Sequence, residues 1–158
     1  MVYDCLETLR KNETPGSIYQ ALVRSDDARY LAWILAALTP WSAIPLPPYN
    51  TAGKQPLPLG ALAAREGVKL ENKLCNVVTG AFRHYEQIIT LKEAITHNLN
   101  YIQERDTLGM DIRRWESHGG HWRLQALFAL FVEVISKSET SSKLFTNLYP
   151  LLLISISI

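Results

Sequence analysis

Trp122 to Ile135, WRLQALFALFVEVI, is apolar on almost every side of a helix. A helix of that kind has no face to offer water, so it must be wrapped by other helices. Gly119 and Gly120 break the chain just before it. Ahead of them, Thr107 to Glu116 follows helical spacing. It puts Leu108, Ile112 and Trp115 on one face, and Arg113 and Arg114 point away. The stretch from Arg105 to Ile135 therefore reads as an amphipathic helix, a turn and a central packed helix.

Further helices can be placed by the same spacing. Ser17 to Val23 is a short candidate. Asp26 and Asp27 open the next, where carboxylates suit exposed amides and the helix dipole. Tyr30 to Leu38 continues it without a polar residue, and Pro40 is expected to stop it. Six prolines between Pro40 and Pro58 mark an extended loop. Leu59 to Glu66 is Ala-rich and is expected to end at Gly67. Asn72 can cap a long helix whose stripe is Leu74, Val77, Val78, Ala81, Phe82, Tyr85, Ile88 and Ile89. Thr90-Leu91-Lys92-Glu93 has the form of a capping box, so a new helix is expected to run from there to His97. No run alternates as a half-buried strand does. The expected fold class is all-α, a bundle or array of about seven helices with one Pro-rich loop.

The chain divides into a helical part over 1–39, the Pro-rich loop over 40–58, a helical part over 59–135 and a tail over 136–158. In the tail charge drops, serine rises and the chain ends in LLLISISI. The run from Leu144 to Ile158 is shorter than the roughly 20 residues a spanning helix needs, and it contains Pro150. No membrane span is expected.

With 158 residues and a net charge of +1, the chain can bury a core, and no global charge steers it toward nucleic acid. Any electrostatic partner must be met by a local patch. Cys5 and Cys75 form no disulfide framework. The first residues, MVYDCLETLRKNETPG, lack a secretory signal, so an intracellular location is expected.

Candidate chemistry is sparse. His118-Gly119-Gly120-His121 has a metal-like spacing, but the ligands for a four-coordinate site are missing, and a turn explains it better. Asp26 and Asp27 point about 100° apart on a helix, which suits capping and not a shared metal clamp. Cys75 has no nucleophile signature around it. No metal site, no cofactor site and no catalytic residue is expected.

The basic residues carry more. Lys73, Asn76, Gly80, Arg83 and Gln87 lie opposite the apolar stripe of the long helix, and at Gly80 the missing side chain would let a backbone approach. Lys69 precedes that helix. Arg113 and Arg114 make a second basic point, and Arg123 follows the glycine turn. Such faces suit phosphate and sugar contacts on a structured RNA. Between Lys54 and Arg123, however, ten basic residues stand against eight acidic ones, which also fits an ordinary solvated face.

Several segments resemble the C-terminal half of fungal tRNA nucleotidyltransferases, the CCA-adding enzymes. They are RSDDARYLAWILAALTPW (Arg24–Trp41), LAAREGVKLENKL (Leu62–Leu74), AFRHYEQI (Ala81–Ile88) and RDTLGMDIRRWESHGGHWRLQALFALFVEVI (Arg105–Ile135). The resemblance implies an enzyme whose N-terminal head supplies a metal-binding carboxylate pair, with Mg2+ and with CTP and ATP as substrates, and whose helical body and tail hold tRNA. The head is missing from this sequence. There is no D-x-D on a strand, and Asp26-Asp27-Ala28-Arg29 lacks the leading glutamate and the spacing of the E-D-x-x-R nucleotide template. The chain is thus expected to be cut at both ends, its tail reading as translated non-coding sequence.

The expected function is a tRNA-binding fragment, inactive alone. RNA contacts are assigned by facing to Lys69, Lys73, Arg83, Arg113, Arg114 and Arg123. The resemblance leaves nucleus, cytosol and mitochondria open. The alternative is a helical protein-interaction module without RNA. If Lys73, Arg83 and Arg114 line one concave face, RNA is favoured. If they scatter, each beside an acid, protein interaction is favoured.

Overall fold

The structure, a computed structural model, describes residues 1–45, 53, 55–97 and 105–137. Among them every regular element is helical, as the periodicity requires. The α-helices are α1 (Val2–Lys11), α2 (Ile18–Leu22), α3 (Asp26–Leu38), α4 (Leu59–Leu62), α5 (Asn72–His97), α6 (Arg105–Glu116) and α7 (Trp122–Ser136). Helix α7 is the centre. Leu124, Leu127, Phe128, Leu130 and Phe131 are all buried within it, and α1, α2, α3, α5 and α6 pack around it. Its longest contact is with α5. Side chains from Val2 to Val134 share one core, with Phe128 stacked obliquely on Phe82 at 4.7 Å and edge-on to Tyr85 at 5.6 Å.

Four details depart from the sequence reading. Helix α1 was not expected. Its Val2, Cys5, Leu6 and Leu9 make a short buried stripe. Helix α5 runs unbroken to His97, because the Thr90 hydroxyl donates back to the Glu86 carbonyl at 3.0 Å and caps nothing. Pro40 sits inside a 3-10 turn, Thr39–Ala43, that follows α3 directly, so the extended loop starts later than expected. Helix α4 widens into a π-turn, Ala63–Val68, which ends at Lys69 and not at Gly67. Lys69 is left-handed (φ 59°), and the amides of Lys69 and Leu70 both donate to the Ala64 carbonyl. Of the expected loop, 46–52 and 54 lie outside the described residues, as does the tail from 138 onward.

The caps follow helix chemistry. The Ser25 hydroxyl accepts from the Ala28 amide at 3.1 Å and starts α3, leaving Asp26 and Asp27 in the first turn. Ser17 plays the same part for α2.

The core is not wholly apolar. Lys92 of α5 and Glu133 of α7 form an ion pair with side chains only 9% and 5% exposed. A buried pair of this kind adds little net stability, but losing one partner strands a charge in the interior. Lys92→Met is therefore expected to lower the unfolding free energy by about 3–5 kcal/mol. The double variant Lys92→Met, Glu133→Leu should recover most of that loss in denaturant titration. Equal losses in single and double variants would refute the pairing. A smaller change tests the π-turn: Lys69→Gly should gain about 1 kcal/mol by removing a left-handed side chain.

Candidate functional site

The site is built where α5, α6 and α7 meet the glycine turn. Gln125 of α7 is completely buried. Its amide Nε2 donates to the Trp115 carbonyl at 2.8 Å, and its Oε1 pairs with His84 Nδ1 at 3.3 Å. Because Nε2 is the donor, Oε1 can only accept, so His84 carries its proton on Nδ1. A Cβ on Gly80 would lie 2.7 Å from Gln125 Nε2 and 3.6 Å from Gly120 Cα. The close approach expected at Gly80 is real, but it is made by the chain's own turn. Gly80 is buried, and it is one of the residues that line the cleft beside this junction.

The turn itself is strained. His118 (φ 58°) and Gly119 (φ 79°) are both left-handed. Only the second is a glycine, and the side chain at 118 carries the cost. The turn ends at His121, whose Nδ1 accepts from the Leu124 amide at 3.3 Å and so caps α7. Among the described residues no group of three His, Cys, Asp or Glu side chains converges. Asp26 stands outward with a 96%-exposed side chain, 3.5 Å from Arg29. These residues do not fit the Mg2+ centre that the family resemblance implies for a full-length enzyme. Burial pushes the Cys5 thiol up to about 12 and raises Cys75 as well, the latter with Sγ 3.4 Å from the Leu70 carbonyl. Neither is poised as a nucleophile.

A polar cleft of roughly 430 Å3 opens beside this core. Arg83 and Arg114 line it, with His84, His118, Asn76 and Gln55; among the described residues no carboxylate does. Arg83 Nη2 donates to the carbonyls of Gln55 (3.2 Å) and Pro56 (3.3 Å), tying the segment before α4 to α5. Its Nε is buried and has no partner among the described residues. Arg114 reaches across from α6. It donates to Gln87 at 3.1 Å and meets Asp111 at 3.0 Å. Gln87 also accepts from the Trp115 indole at 3.1 Å, so α5 and α6 are locked at this ridge.

The six basic positions assigned from sequence thus separate. Arg83 and Arg114 share one concave wall. Lys73 lies one turn before Asn76 on the same face of α5, exposed and with no ion pair among the described residues. Arg113 is exposed beside Arg114. Lys69 is exposed at the left-handed end of the π-turn. Arg123 is half-buried, with its guanidinium 4.8 Å from the centre of the Trp122 ring. Gln125, His84 and His118 were not singled out for the cleft. A lone glutamine on an otherwise apolar helix was the available sign of the first.

Two histidines are held neutral. Burial lowers His84, and the Arg114 and Arg83 charges lower it further against the Gln125 hydrogen bond. Burial, chiefly, and Arg123 lower His121. Protonation of His121 would also remove the acceptor that caps α7 and place a positive charge at a helix N-terminus.

No protein-family profile matches the chain, and no solved structure matches it. Among curated proteins the chain is similar to the nucleotidyltransferase lcsQ of Purpureocillium lilacinum, 41% identical over 140 residues. That alignment takes in 89% of this chain and 24% of the relative, so the chain spans about a quarter of the relative's length. The chain is nucleotidyltransferase-like over nearly all of its residues.

The histidines generate a pH prediction. Both have folded values below the unfolded one near 6.5, so their neutral forms are favoured by folding. The stability they support is complete above pH 6.5 and is lost as pH falls from there through their folded values. The melting temperature should therefore fall between pH 7.5 and pH 5.5, and His121→Asn, which keeps a capping oxygen, should flatten the fall. An unchanged slope in His121→Asn would exclude the titrating cap.

Proposed function

We propose that this chain is the tRNA-holding helical segment of a CCA-adding nucleotidyltransferase and that it performs no nucleotide addition by itself. The observation that carries the reading is the similarity to a nucleotidyltransferase along 89% of the chain, joined to a cleft with two arginines and no lining carboxylate. The resemblance of Arg24–Trp41, Leu62–Leu74, Ala81–Ile88 and Arg105–Ile135 to fungal CCA-adding enzymes supports tRNA as the RNA. Lys69, Lys73, Arg83, Arg113, Arg114 and Arg123 are proposed to contact its backbone. Arg83 and Arg114 line one cleft, which supports RNA, while Lys73 lies outside its lining and Arg114 is paired with Asp111. In the whole enzyme Mg2+, CTP and ATP would be handled by a separate catalytic head, in whichever intracellular compartment tRNA ends are completed.

A second reading, a protein-interaction module, draws on an aromatic surface. Tyr3 and Tyr30 are each 49% exposed, and Tyr3 stacks on Trp33 at 6.0 Å. Such residues are common anchors of protein interfaces.

Filter binding of the purified chain to tRNA decides between them. The affinity is expected to fall steeply as salt rises, since each neutralised phosphate releases a counterion. Incubation with tRNA, Mg2+, CTP and ATP should yield no labelled tRNA. Incorporation would overturn the inactive part, and the absence of saturable binding at low salt would overturn the RNA part.

A further inference from the structure

The strongest unexplained feature is the buried, unpartnered Nε of Arg83. Buried donors are nearly always satisfied, yet the Arg83 guanidinium is not fully engaged by the described residues. It belongs to a residue that lines the carboxylate-free cleft. The other basic side chains of that cleft come from three directions: His84 from α5, Arg114 from α6 and His118 from the turn. The loop carbonyls of Gln55 and Pro56 hold the Arg83 guanidinium in place. Asp111, which pairs with Arg114, lines a neighbouring depression together with Glu86 and Arg114, and does not line this cleft.

We propose that this cleft is a phosphate seat, in which one phosphoryl group is bound by Arg83 and Arg114 and flanked by His118 and the Asn76 amide. An oxyanion matches each element. A planar guanidinium can bind its oxygens in pairs, and the anion offsets the two like charges that line the cleft. The strain at His118 has a role in this arrangement, because the left-handed turn is what places its ring at the mouth of the cleft. Burial is the main cause that lowers His84 and the Arg114 and Arg83 charges add to it; a bound anion would offset that second contribution and raise His84 toward protonation. The groups facing His84 in this balance are Arg83, Arg114 and His118, with uncharged Gln125 beneath it. The chemistry is that of a phosphate; its source is either the backbone of a bound RNA, which rests on the function proposed above, or a free phosphate compound.

Two probes separate the sources. Pyrophosphate is titrated into the isotope-labelled chain at constant ionic strength, with the Arg83 Nε–H signal followed by NMR, and tRNA binding is measured in parallel. Arg114→Gln, on an exposed side chain, is compared with Arg29→Gln, which removes the same charge outside the cleft. Arg83→Lys serves as a second variant, with folding checked by circular dichroism because it releases Gln55 and Pro56. A saturable shift of the Arg83 Nε–H that strengthens between pH 7.5 and pH 6 is expected. Arg114→Gln should weaken both ligands about tenfold, the size of a lost charge-assisted contact, while Arg29→Gln changes tRNA binding by less than about twofold. If tRNA binds and Arg114→Gln behaves like Arg29→Gln, the seat is overturned and the RNA reading stands. If pyrophosphate saturates the site and tRNA does not bind, the seat stands as a small-phosphate site and the RNA reading fails. No saturable response of Arg83 to either ligand overturns the seat.

Discussion

One buried amide holds the architecture together. Gln125 lies in the first turn of the largely apolar helix α7, and both ends of its side-chain amide are used. A buried amide without partners would cost more than its packing returns. Its surroundings are therefore tightly specified. The position facing it on α5 must be glycine, the end of α6 must present a carbonyl, and the turn must bring Gly120 alongside. These demands set how α5, α6 and α7 converge, and the cleft is the space left on the polar side of that junction.

The same junction arranges charge in an unusual way. Most ion pairs here are exposed and weak, such as Arg10 with Glu7 and Arg29 with Asp26. Lys92 and Glu133 are sealed inside, where pairing is obligatory. Arg83 belongs to neither class. Among the described residues its guanidinium is hydrogen-bonded to neutral carbonyls, with no carboxylate bond to cancel its charge. A cation kept in place by dipoles projects its field into the adjoining cleft, and His84, lowered chiefly by burial, is lowered a little further by Arg114 and Arg83. The net charge of +1 says nothing about this, because electrostatic function depends on where opposite charges are placed.

Much of the fold was legible in the chain. The helical period of Leu74 to Ile89, the apolar circumference of Trp122 to Ile135 and the glycine break between α6 and α7 all appear as expected. The misreadings share a cause. Thr90 to Glu93 has the letters of a capping box, yet nothing there interrupts the backbone, and the hydroxyl returned to its own helix. Gly67 looked like a stop, but Lys69 took the left-handed position because the π-turn carries the chain two residues farther. Helix α1 was missed because its stripe is short and polar residues surround it; burial against α3 and α7 makes it a helix. Local patterns describe options, and packing selects among them.

For the site, residue types were visible and their grouping was not. The sequence alone determined that the chain is helical, that its last long helix is central, and that Lys73, Arg113 and Arg114 lie on outer faces. Period and hydrophobicity are local properties, readable within a few turns. Only the tertiary structure decided that Arg83 and Arg114, 31 positions apart in sequence, share one wall, and that Arg123 lies against a tryptophan ring instead. It also decided that Gly80 meets the chain's own backbone. Those outcomes depend on the angle and register at which α5, α6 and α7 pack, and that geometry comes from side-chain shapes interlocking across long sequence separations.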